Sequence, residues 1–170
     1  MIIGVMSDTH GRLPLMFRVA EHMTERHGAE RVIHLGDDYA DALELIITGY
    51  TVHAVPGLWC PEYETGSAPK TLIIEAAGIS IACAHSSADW GVPERKADIL
   101  LCGHTHRAAV NRVEPQIYLN PGHLRGPMDR GERASYGIIR IATGMLEVTL
   151  HELDGSVRAA CTAPRCEAAT

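Results

Sequence analysis

MIIGVMSDTHG, residues 1–11, decides how this chain begins to fold. Residues 1–6 are a short apolar run ended by Ser7-Asp8, which reads as a buried strand. Asp8 and His10 follow at once, so they belong to the loop beyond the strand's carboxyl end. Pro14 suits the first turn of a helix and Gly28 its stop, which predicts a helix to about His27. Residues 31–35 (RVIHL), ended by Gly36-Asp37, read as a second strand. Residues 39–47 carry apolar positions at helical spacing, and residues 51–55 (TVHAV), ended by Pro56-Gly57, read as a third strand. This β-α-β-α-β order predicts a parallel, doubly wound start, whose loops after the strand carboxyl ends share one edge of the sheet.

The second half has a different rhythm. Residues 71–76 and 79–84 flank Ala77-Gly78 as a hairpin, and His85 follows immediately. Residues 98–102 (DILLC) form a buried strand that leads into Gly103-His104-Thr105-His106. Residues 110–113, 116–119, 136–141 and 145–151 are further strands. The expectation is an α/β domain over residues 1–153, with two packed sheets and helices outside. Residues 154–170 show little core-forming pattern and are expected to be a flexible C-terminal tail.

Composition narrows the classes of function. The chain has 170 residues and a formal charge of −6, which argues against a general nucleic-acid footprint, since that needs a basic face. A phosphate ligand remains compatible, because bound metal ions reverse the local field. The five cysteines are odd in number and form no CxxC pair, so no disulfide framework is expected. The opening residues have neither a basic region nor a long apolar core, so no signal peptide is expected. No apolar run reaches membrane-spanning length, and a cytoplasmic protein is expected.

Of ten histidines, His10, His85, His104, His106 and His123 fall just after strand-like runs or glycine turns. With Asp8 and Asp37, the first four offer mixed oxygen and nitrogen ligation, which suits Mn²⁺, Fe, Zn²⁺ or Ni²⁺ better than Ca²⁺. Two such ions roughly 3.5–4 Å apart clamp a phosphate and acidify a bridging water for attack at phosphorus. Each piece alone has an ordinary reading as a turn, a cap or a hydrogen-bonded histidine. The order DxH, GD, H, GHxH, each at a strand end, is hard to explain as packing.

With IIGVMSDTHG, VIHLGD, ADILLCGHTH and Leu119–Gly122 (LNPG), the chain resembles the calcineurin-like metallophosphoesterase superfamily over about residues 1–142. The resemblance is to its small bacterial and archaeal phosphodiesterase branch, which includes Vps29. It implies a four-layer α/β/β/α sandwich of two mixed sheets. It implies two divalent transition-metal ions, Mn first, with Zn, Ni or Fe as alternatives. Asp8, His10 and His106 would hold the first ion, Asp37 would bridge, and His85 and His104 would hold the second. Asn120 would be a structural turn residue. The implied activity is hydrolysis of a small phosphate ester, most often a diester, by in-line attack of a metal-bridging hydroxide. Asp37, His104 and His123 are then the candidate catalytic residues. The alternative is a scaffold of the same fold with weak or no hydrolysis, as Vps29 is.

The chain departs from the family pattern in several places. Leu58 stands where the family has an asparagine ligand of the second metal. Cys60 either compensates as a thiolate or is a small buried residue, and the latter is favoured. Trp59 either lines the substrate cleft or covers the core. Residues 86–97 are too few, and too broken by Gly91 and Pro93, for the family's long helix. That sheet face is therefore thinly covered, or a partner subunit covers it in a homo-oligomer. Trp90 is either an exposed anchor for such a contact or packing over the shortened loop. His123 either protonates the leaving group or is a surface histidine, the latter favoured. Arg12, Arg107 and Arg125 either grip the substrate or are solvated.

Overall fold

The computed structural model describes residues 1–164. β1 (Ile2–Met6) pairs in parallel with β2 (Arg31–His34), and β2 with β3 (Val52–Ala54). The connections are α1 (Leu13–Glu21) and α2 (Tyr39–Ile47). α1 has Pro14 in its first turn and runs into a π-helical turn, His22–Arg26, before Gly28 ends it at φ 75°. After β3 come the short helix α3 (Pro61–Thr65) and the hairpin β4 (Thr71–Ala76) and β5 (Ile79–Ala84). Next are β6 (Ile99–Leu101), β7 (Ala109–Val113), β8 (Gln116–Asn120) and the two-stranded ribbon β9 (Met128–Asp129) and β10 (Glu132–Arg133). The described chain closes with β11 (Ser135–Ala142), β12 (Met145–Glu152) and β13 (Val157–Pro164).

Two mixed sheets result. One has the order β13-β12-β11-β1-β2-β3 and the other β4-β5-β6-β8-β7. Side chains alternate between faces along each strand. Ile3, Val5 and Ile33 of the first sheet thus meet Ile81, Ile99 and Ile117 of the second in a closed core between the sheets. Met6, Val32 and Ile138 face the other way, against Met16, Val19 and Met23 of the first helical segment and Leu45 of α2. Each such fully buried side chain contributes about 1.5–3 kcal/mol of transfer free energy. The α/β fold of two mixed sheets agrees with the expectation from sequence.

One expectation needs correction, and one open choice is decided. The frayed tail is in part a strand, because β13 pairs antiparallel with β12 and buries Ala163 against the inter-sheet core. Ala159, Cys161 and Ala163 alternate inward, but such small side chains make a faint pattern. Residues 165–170 of that expected tail lie outside the described residues. Of the two readings of Trp90, packing over the shortened loop holds and the exposed anchor does not. It is 8% exposed and packs with Ala84, Cys102, Leu100 and Tyr118 on the outer face of the second sheet. Its ring meets Tyr118 edge-on at 6.3 Å. The cause is the shortened segment, which holds only two 3₁₀ turns, Ser87–Asp89 and Glu94–Lys96, so the indole does the covering. Among the described residues no helix is long and apolar enough to cross a membrane.

Candidate metal centre

β1 and β2 are parallel neighbours, as are β5 and β6, so their carboxyl ends release four loops toward one edge. Those loops carry all six expected ligands. Asp8, His10, Asp37 and His106 each place a ligand atom within 4.8 Å of the others. His106 Nε2 lies 3.2 Å from Asp8 Oδ1 and 3.2 Å from His10 Nε2. Asp37 spans two neighbours, with Oδ2 3.3 Å from His10 Nε2 and Oδ1 3.3 Å from His85 Nε2. The His85 and His104 rings lie 5.2 Å apart, with His85 buried and His104 exposed. The main-chain N–H of His104 donates to Asp8 Oδ2 at 3.1 Å.

The backbone is bent to achieve this. Asp8, His10, Asp37, His104 and His106 have φ values of 56°, 48°, 39°, 65° and 62°. Left-handed backbone costs a non-glycine residue of order 1 kcal/mol or more, and such strain collects at functional sites. Aspartate and histidine tolerate it better than most residues. Close approach also requires glycine. A Cβ at Gly57 would collide with Asp37 Oδ1, and one at Gly103 would meet Ser7 Oγ and come within 2.7 Å of Asp8 Oδ2.

The hydrogen bonds leave acceptors facing acceptors. His85 Nδ1 lies 2.7 Å from the Leu35 carbonyl and must donate to it. In the neutral ring Nε2 is then a bare lone pair, buried without a hydrogen-bond donor and facing Asp37. Asp8 Oδ1 is likewise buried without a donor. Asp8 first, and Asp129, raise the pKa of His106 against the opposing effect of burial. Burial pushes the Asp8 carboxyl upward, but His106 and the neighbouring His85 and Ser7 hold it below the usual carboxylate range. These groups call for a positive charge among them, and the donor set of carboxylates and imidazoles fits divalent transition metals.

Several supporting residues were missed from sequence. His34 is fully buried and its pKa is lowered to about 4 by burial. Gly36 N–H donates to its Nδ1 at 3.3 Å, so its Nε2–H donates to Thr9 Oγ1 at 3.1 Å. The Thr9 hydroxyl in turn donates to the Asp37 carbonyl at 3.2 Å, joining the Asp8 and Asp37 loops. Asp41 of α2 accepts from Gly11 N–H at 2.9 Å. Asp129 lies 2.5 Å from His106 Nδ1. A strand-end histidine in RVIHL and a lone MDRG aspartate carry no spacing signal.

The remaining candidates are placed as follows. Asn120 ties its own turn, donating to the Gly103 carbonyl at 2.9 Å and accepting from Gly122 N–H at 2.9 Å, which is the structural part foreseen for it. Leu58 is half-buried beside Gly57. Cys60 is buried, and its Sγ accepts from Tyr39 N–H at 3.4 Å, as a small packed residue would. Trp59 is 83% exposed and lines a cleft of about 300 Å³ with His10, Asp37, Asp38, Tyr39 and Glu62, so it does not cover the core. His123 is not a surface residue. It is fully buried, its Nε2 donates to the Glu132 carbonyl at 3.1 Å, and its ring lies 5.4 Å from that of His106. Burial lowers its pKa. Arg12 and Arg125 line a second cleft of about 460 Å³, and Arg12 Nε donates to the Arg125 carbonyl at 3.0 Å. Arg107 is exposed.

A sequence profile of the calcineurin-like phosphoesterase superfamily domain matches residues 1–144, and the chain belongs to that superfamily. Its members act on phosphate esters with divalent metals. The fold is similar to that of YfcE, a phosphoesterase from E. coli, at 22% identity over 95% of this chain and 98% of that one, TM-score 0.73. It is similar to Vps29 from Entamoeba histolytica complexed with Zn²⁺, at 22% identity over 96% and 99%, TM-score 0.67. It is also similar to an archaeal phosphodiesterase, at 20% identity over 97% and 100%, TM-score 0.66. Among curated protein sequences none matches significantly.

Proposed function

We propose that this protein is a metal-dependent phosphodiesterase acting on a small phosphate diester. The observation that carries the reading is the position of Asp37. Its two oxygens lie 3.3 Å from histidines of two different groups, one of which is a buried Nε2 with no donor to meet it. A bridging carboxylate of that kind suits two ions. Asp8, His10 and His106 would hold the first, and His85 and His104 the second, with Mn²⁺ the leading choice and Zn²⁺, Ni²⁺ or Fe the alternatives. When bound, the ions supply Lewis acidity and an activated water for in-line attack at phosphorus.

The chain's own residues orient and enclose. His85 presents Nε2 because Leu35 takes its Nδ1 proton. The His34–Thr9–Asp37 chain keeps two ligand loops in register. The cleft beside His10 and Asp37 receives one ester group against Trp59 and Tyr39. His123 is buried, with its Nε2 proton committed to Glu132, so protonation of the leaving group falls to water.

A second reading, a metal-binding scaffold with weak hydrolysis, rests on Leu58 in the place of the family's asparagine and on the likeness to Vps29. Hydrolysis of an aryl phosphodiester with added Mn²⁺, Ni²⁺ or Zn²⁺ separates the two. Metal binding without turnover for any ion would reject the phosphodiesterase.

A further inference from the structure

We propose that Asp129, on the β9–β10 ribbon, is a positioning residue that aims His106 Nε2 at the first metal. This rests on the reading of Asp8, His10, Asp37 and His106 as metal ligands.

A neutral imidazole has one N–H, and whichever ring nitrogen carries it cannot ligate. In His106 the contest is open by position alone. Nε2 faces Asp8 and His10, and Nδ1 faces Asp129. The His106–Asp129 contact is the shorter, 2.5 Å against 3.2 Å to Asp8. A short, charge-assisted hydrogen bond of this kind keeps the proton on Nδ1. The Nε2 lone pair is then left facing the ligand cluster. Carboxylate–histidine pairs of this form fix the tautomer and ring angle of a metal-bound imidazole and raise its basicity.

The ribbon is built to hold that carboxylate. Asp129 and Glu132 are cross-strand partners, and Arg130-Gly131 between them have φ values of 48° and 83°. Two successive left-handed residues make the tight hairpin turn that brings Asp129 back over the site. Its side chain is only 17% exposed. Arg125 Nη1 lies 3.4 Å from Oδ1, and Arg130 Nε lies 3.7 Å from Oδ2, so two guanidinium groups hold the carboxylate. The same ribbon accepts the Nε2–H of His123 at Glu132, and the His123 ring backs His106. One short ribbon therefore sets both the protonation and the packing of His106.

The test is Mn²⁺ titration of chelator-stripped protein, with free Mn²⁺ read by electron paramagnetic resonance. Asp129→Ala is expected to weaken one of the bound ions about 10- to 100-fold, with the thermal midpoint of the metal-free protein nearly unchanged. Asp129→Asn, whose amide oxygen still accepts from Nδ1–H, is expected to recover most of that affinity. Asp129→Ser, polar but too short to reach His106, is measured alongside and carries the test if the alanine variant does not fold. Wild-type Mn²⁺ affinity in the alanine or serine variant, or a loss that asparagine does not recover, would overturn the proposal. Wild-type protein that binds no Mn²⁺ would instead reject the metal site itself and this inference with it.

Discussion

Asp37 Oδ1 stands 3.3 Å from His85 Nε2, a buried nitrogen whose partner on the same ring already donates to Leu35. Two acceptors held this close repel unless a cation lies between them. The side chain of Asp37 also faces histidines of both halves of the site. Asp37→Ala is therefore expected to lose both ions together and to lower diester hydrolysis to background. Metal content by mass spectrometry and turnover, measured on the same sample, check this. A variant that keeps two ions and full rate would rule out the bridging assignment.

Metal removal should cost stability. Five expected ligands sit in left-handed backbone, and Asp8 Oδ1 and His85 Nε2 are buried without donors. A ligand that binds only the folded state at 100 times its dissociation constant adds about 2.7 kcal/mol. For a chain of this size that is a rise in melting temperature of roughly 5–10 °C. Calorimetry with chelator and then with excess Mn²⁺ checks the difference, and superimposable scans would contradict it.

If two ions bind, as proposed, Leu58 is expected to limit the second. It follows Gly57, which packs directly against Asp37, so the backbone already approaches the site. Leu58→Asn is expected to tighten the weaker ion about tenfold, or ~1.4 kcal/mol, and to raise turnover at limiting metal. Isothermal titration on both proteins reads this directly. No gain would mean that the loop holds residue 58 out of reach.

The two tryptophans should behave oppositely. Trp59 is exposed and lines the cleft beside His10 and Asp37, whereas Trp90 is buried over the second sheet. Trp59→Ala is expected to change stability by less than about 0.5 kcal/mol, while raising KM for an aryl diester roughly two- to tenfold. Trp90→Ala is expected to cost about 3 kcal/mol. Urea unfolding of both variants, with KM for the first, distinguishes a cleft wall from a core cover.

Acid should loosen the fold through His34. Burial lowers its folded pKa to about 4, below the unfolded value near 6.5. The unfolded chain therefore binds the proton first as pH falls. The neutral His34 contribution is fully present above pH ~6.5, and about 3 kcal/mol is lost progressively down to pH ~4. His27, also lowered to about 4 but only half-buried, adds in the same direction. His34→Gln keeps a donor and an acceptor without the titration, and is expected to flatten stability against pH between 6.5 and 4. An unchanged slope would remove His34 from that account.

The sequence by itself determined the parallel start, the hairpin, the strand leading into GHTH and the six ligand-type residues. Those features are local. Apolar runs of strand length mark β1, β5 and β6, and a polar residue just past a strand end has nowhere else to go. Small residues hid β13, since Ala159, Cys161 and Ala163 bury little area each and make a weak alternation. Only the tertiary structure decided the rest. Asp129 reaches His106 across 23 residues, and His34 reaches Thr9 across 25. It buried His123 and Trp90 and left Trp59 exposed, although all three lie in loops of similar composition. Contacts between distant segments depend on how the two sheets pack, and residue spacing along one chain carries no record of that.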